Sequence, residues 1–362
     1  MKIAVYAIAK NESHNVVRWL ENLKDADGIF VLDTGSTDGT VSLLEQGGAT
    51  VSKMSAHKPF RFDHARNEAM NLVPEEFDVL ISLDFDELLM NGWREIIEEQ
   101  FTCDAANYTL IFDHDDQGNV TISYPRMAIT RRGIGTWQYP VHEVLTVPEG
   151  TATQDITLAC VHYGEAKAPG HYFDLLKMAH EDDPTCARSA SYLAREYYGM
   201  QNWQMADALY RKYLELETYA PFKSDAARKI GSMCTDYYNA EWWYKQAVQY
   251  CSDIRESHCD LAAFYFKHKQ YEHAIASLRT ALTIERPNYR MIYSDAYYGP
   301  IWCRHMLLAS YQQAGNLREA IKIMREFQKP DAPMTEALRA DILLLQQKVQ
   351  DAFHVYSTCL GV

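Results

Sequence analysis

The sequence has no run of 18 or more apolar residues, so no segment is long enough to cross a bilayer as a helix. It has no Cys-x-x-Cys among its eight cysteines (103, 160, 186, 234, 251, 259, 303 and 359), and none falls with a histidine at zinc-finger spacing. The common structural zinc sites are thereby excluded, and buried, reduced thiols are expected. Disordered, collagen-like and coiled-coil compositions are absent as well. Apolar residues make up 47% and charged residues 23%, as in a folded globular protein. The start, MKIAVYAIAKNESHN, lacks a small-residue cleavage site and meets polar residues at once. It reads as a first strand and not as a signal peptide, and the expected location is cytoplasmic. A length of 362 residues suggests two domains.

Positive charge is scarce in the first half. Residues 1–165 hold 12 Lys and Arg against 26 Asp and Glu, which accounts for the whole net charge of −14. Residues 166–362 hold 23 of each sign. An acidic surface repels phosphate backbones, so bulk nucleic-acid binding is not expected. A local basic groove in the second half is left open.

The halves differ in pattern too. In residues 1–165, short apolar runs (KIAVYAIA, GIFVLDT, FDVLISLDFDE) alternate with helical stretches (HNVVRWLENLKD, TVSLLEQGG). That rhythm predicts a mostly parallel sheet, and YTLIFDHDDQGNVTISY adds two strands around a polar turn. The predicted fold is α/β with a mixed sheet. Ligands of such sheets sit beyond the carboxyl ends of the strands, where Asp33 and Asp84 fall.

Residues 166–362 read as helix throughout. Ala206, Ala240 and Ala274 recur every 34 residues, each followed four later by Tyr210, Tyr244 and Leu278 and seven later by Tyr213, Ala247 and Ala281. Nine residues earlier stand Tyr197, Gly231 and Tyr265, and thirteen earlier Leu193, Ala227 and Leu261. A fourth copy fits Leu307, Tyr311, Ala320, Met324 and Phe327 after a 12-residue insertion, and a worn fifth fits Ala352, Tyr356 and Cys359. Tyr172, Leu176, Ala179 and Pro184 match half a repeat before the first. This period and these small residues match the tetratricopeptide repeat, an all-α superhelix. Most of the aromatic excess is core; Tyr198, Trp203, Tyr237, Tyr238, Trp242 and Trp243 are candidates for a binding groove.

The main chemical feature is Asp84-Phe85-Asp86 after the apolar run VLIS. Two strand-end carboxylates two residues apart suit Mg²⁺ or Mn²⁺, hard ions that bind carboxylate and phosphate oxygens together. A solvated acidic loop is the plainer reading. The turn after Asp33, TGSTDGT, either caps a helix or presents backbone N–H groups to a ligand. Phe60-Arg61-Phe62-Asp63-His64-Ala65-Arg66-Asn67 offers either surface ion pairs or cations for a nucleotide.

AIAKNE, VLDTGSTDGT, the FxFxxARN stretch and LDFDE, in this order, resemble a family 2 glycosyltransferase of the GT-A fold over residues 1–165. RMAITRRGIGTWQYPVHEVL is similar to a subgroup pattern that often carries tetratricopeptide repeats after the catalytic domain, here residues 166–362. The resemblance implies a nucleotide diphosphate sugar donor, an Mn²⁺ or Mg²⁺ cofactor and inversion at the anomeric carbon. It implies that Ala9, Asn11, Glu12, Asp33, Arg66, Asp84, Phe85 and Trp137 bind the donor, with Arg131 or Arg132 neutralising the diphosphate. Asp84, Asp86 and His162 would be the metal ligands. The general base would be Glu143 or His142, Glu143 being the better base for a hydroxyl or thiol acceptor. The family more often has an Asp-rich pair there, which this chain lacks. The expected acceptor is a peptide, a protein or a saccharide held by the repeats, a modified DNA base being a remoter case. Two other classes compete: a nucleotidyltransferase, which normally has a basic Gly-rich loop near the N-terminus, and an inactive scaffold that recruits a partner protein.

Overall fold

The structure is a computed structural model that describes residues 1–55, 59–114, 120–164, 170–285 and 299–327, with Leu343 and Gln347. Met1–Asn202 forms one compact unit, and the second begins at Trp203.

The first unit runs β1 (Ile3–Ala9), α1 (Val16–Asn22), β2 (Gly28–Asp33), α2 (Thr40–Gln46), β3 (Thr50–Lys53), α3 (Phe62–Asn71), β4 (Val79–Ser82), β5 (Glu87–Leu89), α4 (Trp93–Gln100), β6 (Ala105–His114), β7 (Val120–Arg131), β8 (Thr136–Gln138), β9 (Val144–Thr146), β10 (Thr153–His162), α5 (Phe173–Asp182) and α6 (Ala187–Gly199). Eight strands form one sheet in the order β3-β2-β1-β4-β7-β6-β10-β5, and β8 pairs with β9 alone. The first four are mutually parallel, whereas β7 is antiparallel to both β4 and β6. β10 is parallel to β6 and therefore runs with β4, and β5 is antiparallel at the edge. The sheet is mixed, as the alternating pattern predicts.

β1 (IAVYAIA) and β4 (VLIS) are almost fully buried, because a central parallel strand is covered on both faces and needs apolar residues at every position. Ile3, Val5 and Ile81 pack with Trp19, Leu44 and Ile97 of α1, α2 and α4. Tyr6, Leu32 and Leu80 pack with Ala65 and Ala69 of α3. The carboxyl ends of β1, β2, β4 and β10 thus share one edge, at Ala9, Asp33, Ser82 and His162.

Two features depart from the sequence reading. β7 continues past Tyr124 to Arg131, which makes the hairpin longer. Helices α5 and α6, assigned above to the repeat half, belong to the compact first unit.

In the second unit, α7 (Trp203–Leu216), α8 (Ala220–Met233), α9 (Tyr237–Tyr250), α10 (Arg255–Lys267), α11 (Tyr271–Thr283), α12 (Pro300–Gln313) and α13 (Leu317–Phe327) form an all-helical repeat. Ala206, Ala240, Ala274 and Ala320 are all buried. A Cβ on Gly231 of α8 would meet the Tyr244 ring of α9 at 3.3 Å, so the small residue of that column sits where two helices cross. The Asp236 side chain caps α9 by accepting from Asn239 N–H at 2.9 Å. The fifth copy (Ala352, Tyr356, Cys359) lies outside the described residues. No helix among the described residues is long and apolar enough to cross a membrane.

Candidate functional site

Arg66, buried on α3, is the centre of a cluster at this edge. Its Nη1 and Nη2 donate to Asp84 Oδ1 at 2.7 Å and Oδ2 at 3.0 Å, and its Nε donates to Glu143 Oε1 at 2.5 Å. The guanidinium lies 4.8 Å from the Trp137 ring centre. Trp137 is itself fixed: Nε1 donates to the Tyr6 hydroxyl at 2.8 Å, and the Asn67 amide pairs with its backbone N–H and C=O. One planar cation therefore aligns two carboxylates from distant parts of the chain, a geometry that arginine supports and lysine does not.

A second cation, Arg126 of β7, bonds Glu87 and reaches Asp84 Oδ2 at 3.4 Å. Burial works to raise the Asp84 carboxyl, but Arg66 and Arg126 outweigh it and hold it well below its ordinary range. Burial raises Glu87, against Arg126. Glu87 opens strand β5, and its second oxygen accepts from Asp84 N–H at 3.1 Å.

Asp86 has a different partner. His162 Nε2 lies 3.4 Å from its Oδ2, and the imidazole stacks on Phe112 at 4.6 Å. The hydrogen bond to Asp86 raises the His162 pKa, opposed by burial. A Cβ on Gly164 would stand 2.5 Å from Asp86 Oδ2 and closer still to His162 Nε2. Gly164 therefore packs directly against a carboxylate oxygen and an imidazole nitrogen where no side chain would fit, and that donor pair fits Mn²⁺ or Mg²⁺ whose other ligands are water and phosphate. Asp84 is not a third member. Both its oxygens are bound by arginines, and no three His, Cys, Asp or Glu groups among the described residues are arranged to hold a metal.

Ala9 and Asp33 are register partners at the ends of β1 and β2. The Ala9 carbonyl accepts from Thr34 N–H at 2.9 Å. The buried Asp33 carboxylate accepts from Gly35 and Ser36 N–H, so it folds its own loop into a turn. Asn11 (φ 59°) binds that loop through Ser36 and Thr37, and Glu12 N–H donates to Thr40. These residues form one ordered rim beside the cluster.

Three donor-binding expectations fail. Phe85 is 3% exposed and packs on Trp19 at 4.4 Å, so its side chain is core. Arg131 pairs with Val79 at the opposite end of β4 from Asp84 and lies over Phe101. Arg132 bonds the carbonyls of Val73 and Pro74 at that same far end. The arginine that does stand at this edge is Arg126, paired with Glu87 and Asp84. Its position follows from the observed register: β7 is antiparallel to β4 with Arg131 against Val79, so a residue five before Arg131 falls near the carboxyl end of β4.

Glu143 comes from a loop with two unusual backbone conformations. Tyr139 (φ 78°) and His142 (φ 51°) are left-handed non-glycine residues, each costing about 1–3 kcal/mol. The His142 ring stacks on Tyr192 at 4.1 Å and meets Tyr172 edge-on at 5.6 Å. Burial, then Arg195 and Arg188, push its pKa down to about 4, so it is neutral near pH 7. Burial raises the Tyr172 phenol, as do the nearby charges of Glu143, Asp86 and Asp84. Behind the loop, a cavity of about 380 Å³ is lined by Arg61, Asn67, Tyr139, Asp182 and Cys186 among others.

No protein-family model matches the chain. One curated relative is a TPR repeat-containing protein of Synechococcus elongatus, 26% identical over 145 residues, or 40% of this chain and 35% of that protein. The match thus spans about a third of the relative's length. Among solved structures the chain is similar to the MamA protein (15% identity, TM-score 0.36, covering 45% of this chain and 86% of that one). It is also similar to the apo form of RapI (16% identity, TM-score 0.40, covering 51% and 58%). Both scores are below 0.5 and mark a loose likeness.

Proposed function

We propose that the first unit is an inverting glycosyltransferase of the GT-A type, dependent on a divalent metal and using a nucleoside diphosphate sugar. The observation that carries this reading is the division of labour at the sheet edge. Asp86, its side chain 38% exposed, pairs with His162 and not with the arginines, while Arg66 holds Asp84 and Glu143 in a fixed array. Asp86 and His162 would hold Mn²⁺ or Mg²⁺. Bound there, the metal supplies charge neutralisation for the leaving diphosphate. The Asp33–Ser36 turn and Asn11 form the rim suited to the nucleoside. Glu143 takes the acceptor proton as the hydroxyl or thiol attacks the anomeric carbon from the face opposite the diphosphate. No covalent enzyme intermediate is required.

The repeat unit supports a peptide or protein acceptor, with a saccharide as the alternative. On α9, Tyr238 is 77% and Trp242 52% exposed, one helical turn apart, whereas Trp243 is buried. Large exposed aromatic side chains are frequent anchors in protein recognition.

A thermal-shift panel of nucleoside diphosphates and nucleotide sugars, each with Mn²⁺, Mg²⁺ or EDTA, tests the donor site. Ligand at 100 times its Kd stabilises the folded state by about 2.7 kcal/mol, an easily read shift. The expected result is a shift with one nucleotide that requires the metal and disappears in Asp86→Ala. No shift with any pair, in folded protein, would remove the reading.

A further inference from the structure

The loop that delivers Glu143 is held from outside the sheet. Its Pro140 carbonyl accepts from Phe62 N–H at 2.9 Å, which ties its start to α3. Its strained second half is held by α6. Arg188 Nη2 donates to the His142 carbonyl at 2.8 Å, and the same guanidinium lies 5.6 Å from the Tyr139 ring and 5.0 Å from the Tyr192 ring. Arg188 thus touches both left-handed residues of the loop, one through its ring and the other through its carbonyl.

The chemistry of Arg188 sets it apart. Arg61, Arg66 and Arg126 each face carboxylates, whereas Arg188 has no carboxylate partner among the described residues. Its Nε is buried without a hydrogen bond. Leaving part of a cation dry and unpaired is unfavourable. An apolar side chain would fill the space without that cost, but it could not donate to the carbonyl of His142.

We propose that Arg188 is the positioning residue of the site: it clamps the Tyr139–Glu143 loop in its left-handed form and so delivers Glu143 to Arg66. The clamp acts with the stack of His142 on Tyr192, so α6 is part of the catalytic unit and not the first element of a separate repeat domain. A catalytic consequence follows only if the transferase reading holds; the hold on the loop does not depend on it.

The test compares Arg188→Met and Arg188→Lys with wild type in the full chain. The first readout is amide hydrogen exchange across Val141–Glu143, expected to rise at least tenfold in Arg188→Met. Arg188→Lys should lie between, since an ammonium can donate to the carbonyl but cannot stack as a planar group on both rings. The second is the His142 imidazole titration by NMR. The groups facing that ring are Tyr172 at the N-cap of α5, Tyr192, Arg188 and Arg195 of α6, and Glu143 beside it. With Arg188 removed and the loop opened to water, the pKa should climb from about 4 toward the ordinary histidine value. The third is nucleoside diphosphate release, with Mn²⁺, from whichever nucleotide sugar of the panel the wild type cleaves: in Arg188→Met, kcat should fall at least tenfold with KM for that nucleotide sugar unchanged. If Arg188→Met is too unstable to study, Arg188→Lys carries the first two readouts. Unchanged exchange and unchanged titration in the variant would overturn the clamp. A wild type that neither binds nor cleaves any nucleotide sugar would overturn the transferase reading instead, and exchange and titration would still decide the clamp.

Discussion

Replacing Arg66 with methionine is expected to cost about 3–5 kcal/mol of stability and to abolish donor turnover. The side chain is 7% exposed and is the shared partner of Asp84 and Glu143, whose side chains are 28% and 11% exposed. Without it, two poorly hydrated carboxylates face each other with only Arg126 nearby, and that residue is committed to Glu87. The loss comes mainly from stranding those charges, and not from the net worth of the ion pairs. Arg66→Lys should recover only part of it, because one ammonium cannot make paired bonds to Asp84 and a third to Glu143. Urea unfolding of the three proteins measures the effect. A loss under about 1 kcal/mol for Arg66→Met would show that the cluster is solvated and that the array is not held as described.

The second large effect needs only one methyl group. Gly164→Ala would place a Cβ 2.5 Å from Asp86 Oδ2 and nearer to His162 Nε2, so the pair must separate. Gly164 does not have the left-handed φ that would make alanine strained in itself. The fold should therefore survive, whereas Mn²⁺ dependence of nucleotide binding weakens by roughly 10–100-fold, the range seen when ligands lose their supporting geometry. Isothermal titration with Mn²⁺ and the nucleotide that shifts the wild type reads this directly. Unaltered metal affinity in Gly164→Ala would place the metal elsewhere.

The parts of the site legible in the sequence are those fixed by one strand's own end. Asp33, Asp84 and Asp86 follow apolar runs, so the edge on which they emerge is set by the direction of β2 and β4. His162 was reached through the family resemblance alone, and the strand that it ends, β10, was not read from the sequence. Residues whose place depends on pairing between distant strands were not legible. Arg126 reaches Asp84 only because β7 is antiparallel to β4 in a register that puts Arg131 against Val79. The same register carries Arg131 and Arg132 to the far end, although they stand near the Trp137 block in sequence. Phe85 lies between the carboxylates of Asp84 and Asp86 yet alternates inward to the core. The repeat was legible because its small residues mark helix crossings at fixed intervals, as at Gly231 against Tyr244. The repeat pattern also explains why α6 was assigned to the helical half: Leu193 and Tyr197 fit the repeat columns, and Arg188 and Tyr192, which reach the Glu143 loop, lie in no column at all.

The most direct measurement of the central claim is nucleoside diphosphate release from a panel of nucleotide sugars, by wild type, Asp86→Ala and Glu143→Gln. The account predicts release from one donor by wild type, dependent on Mn²⁺ or Mg²⁺. Asp86→Ala should lose release and metal-dependent donor binding together, and Glu143→Gln should lose release but still bind the donor. Release that persists in EDTA, or no release from any donor by folded wild type, would contradict it.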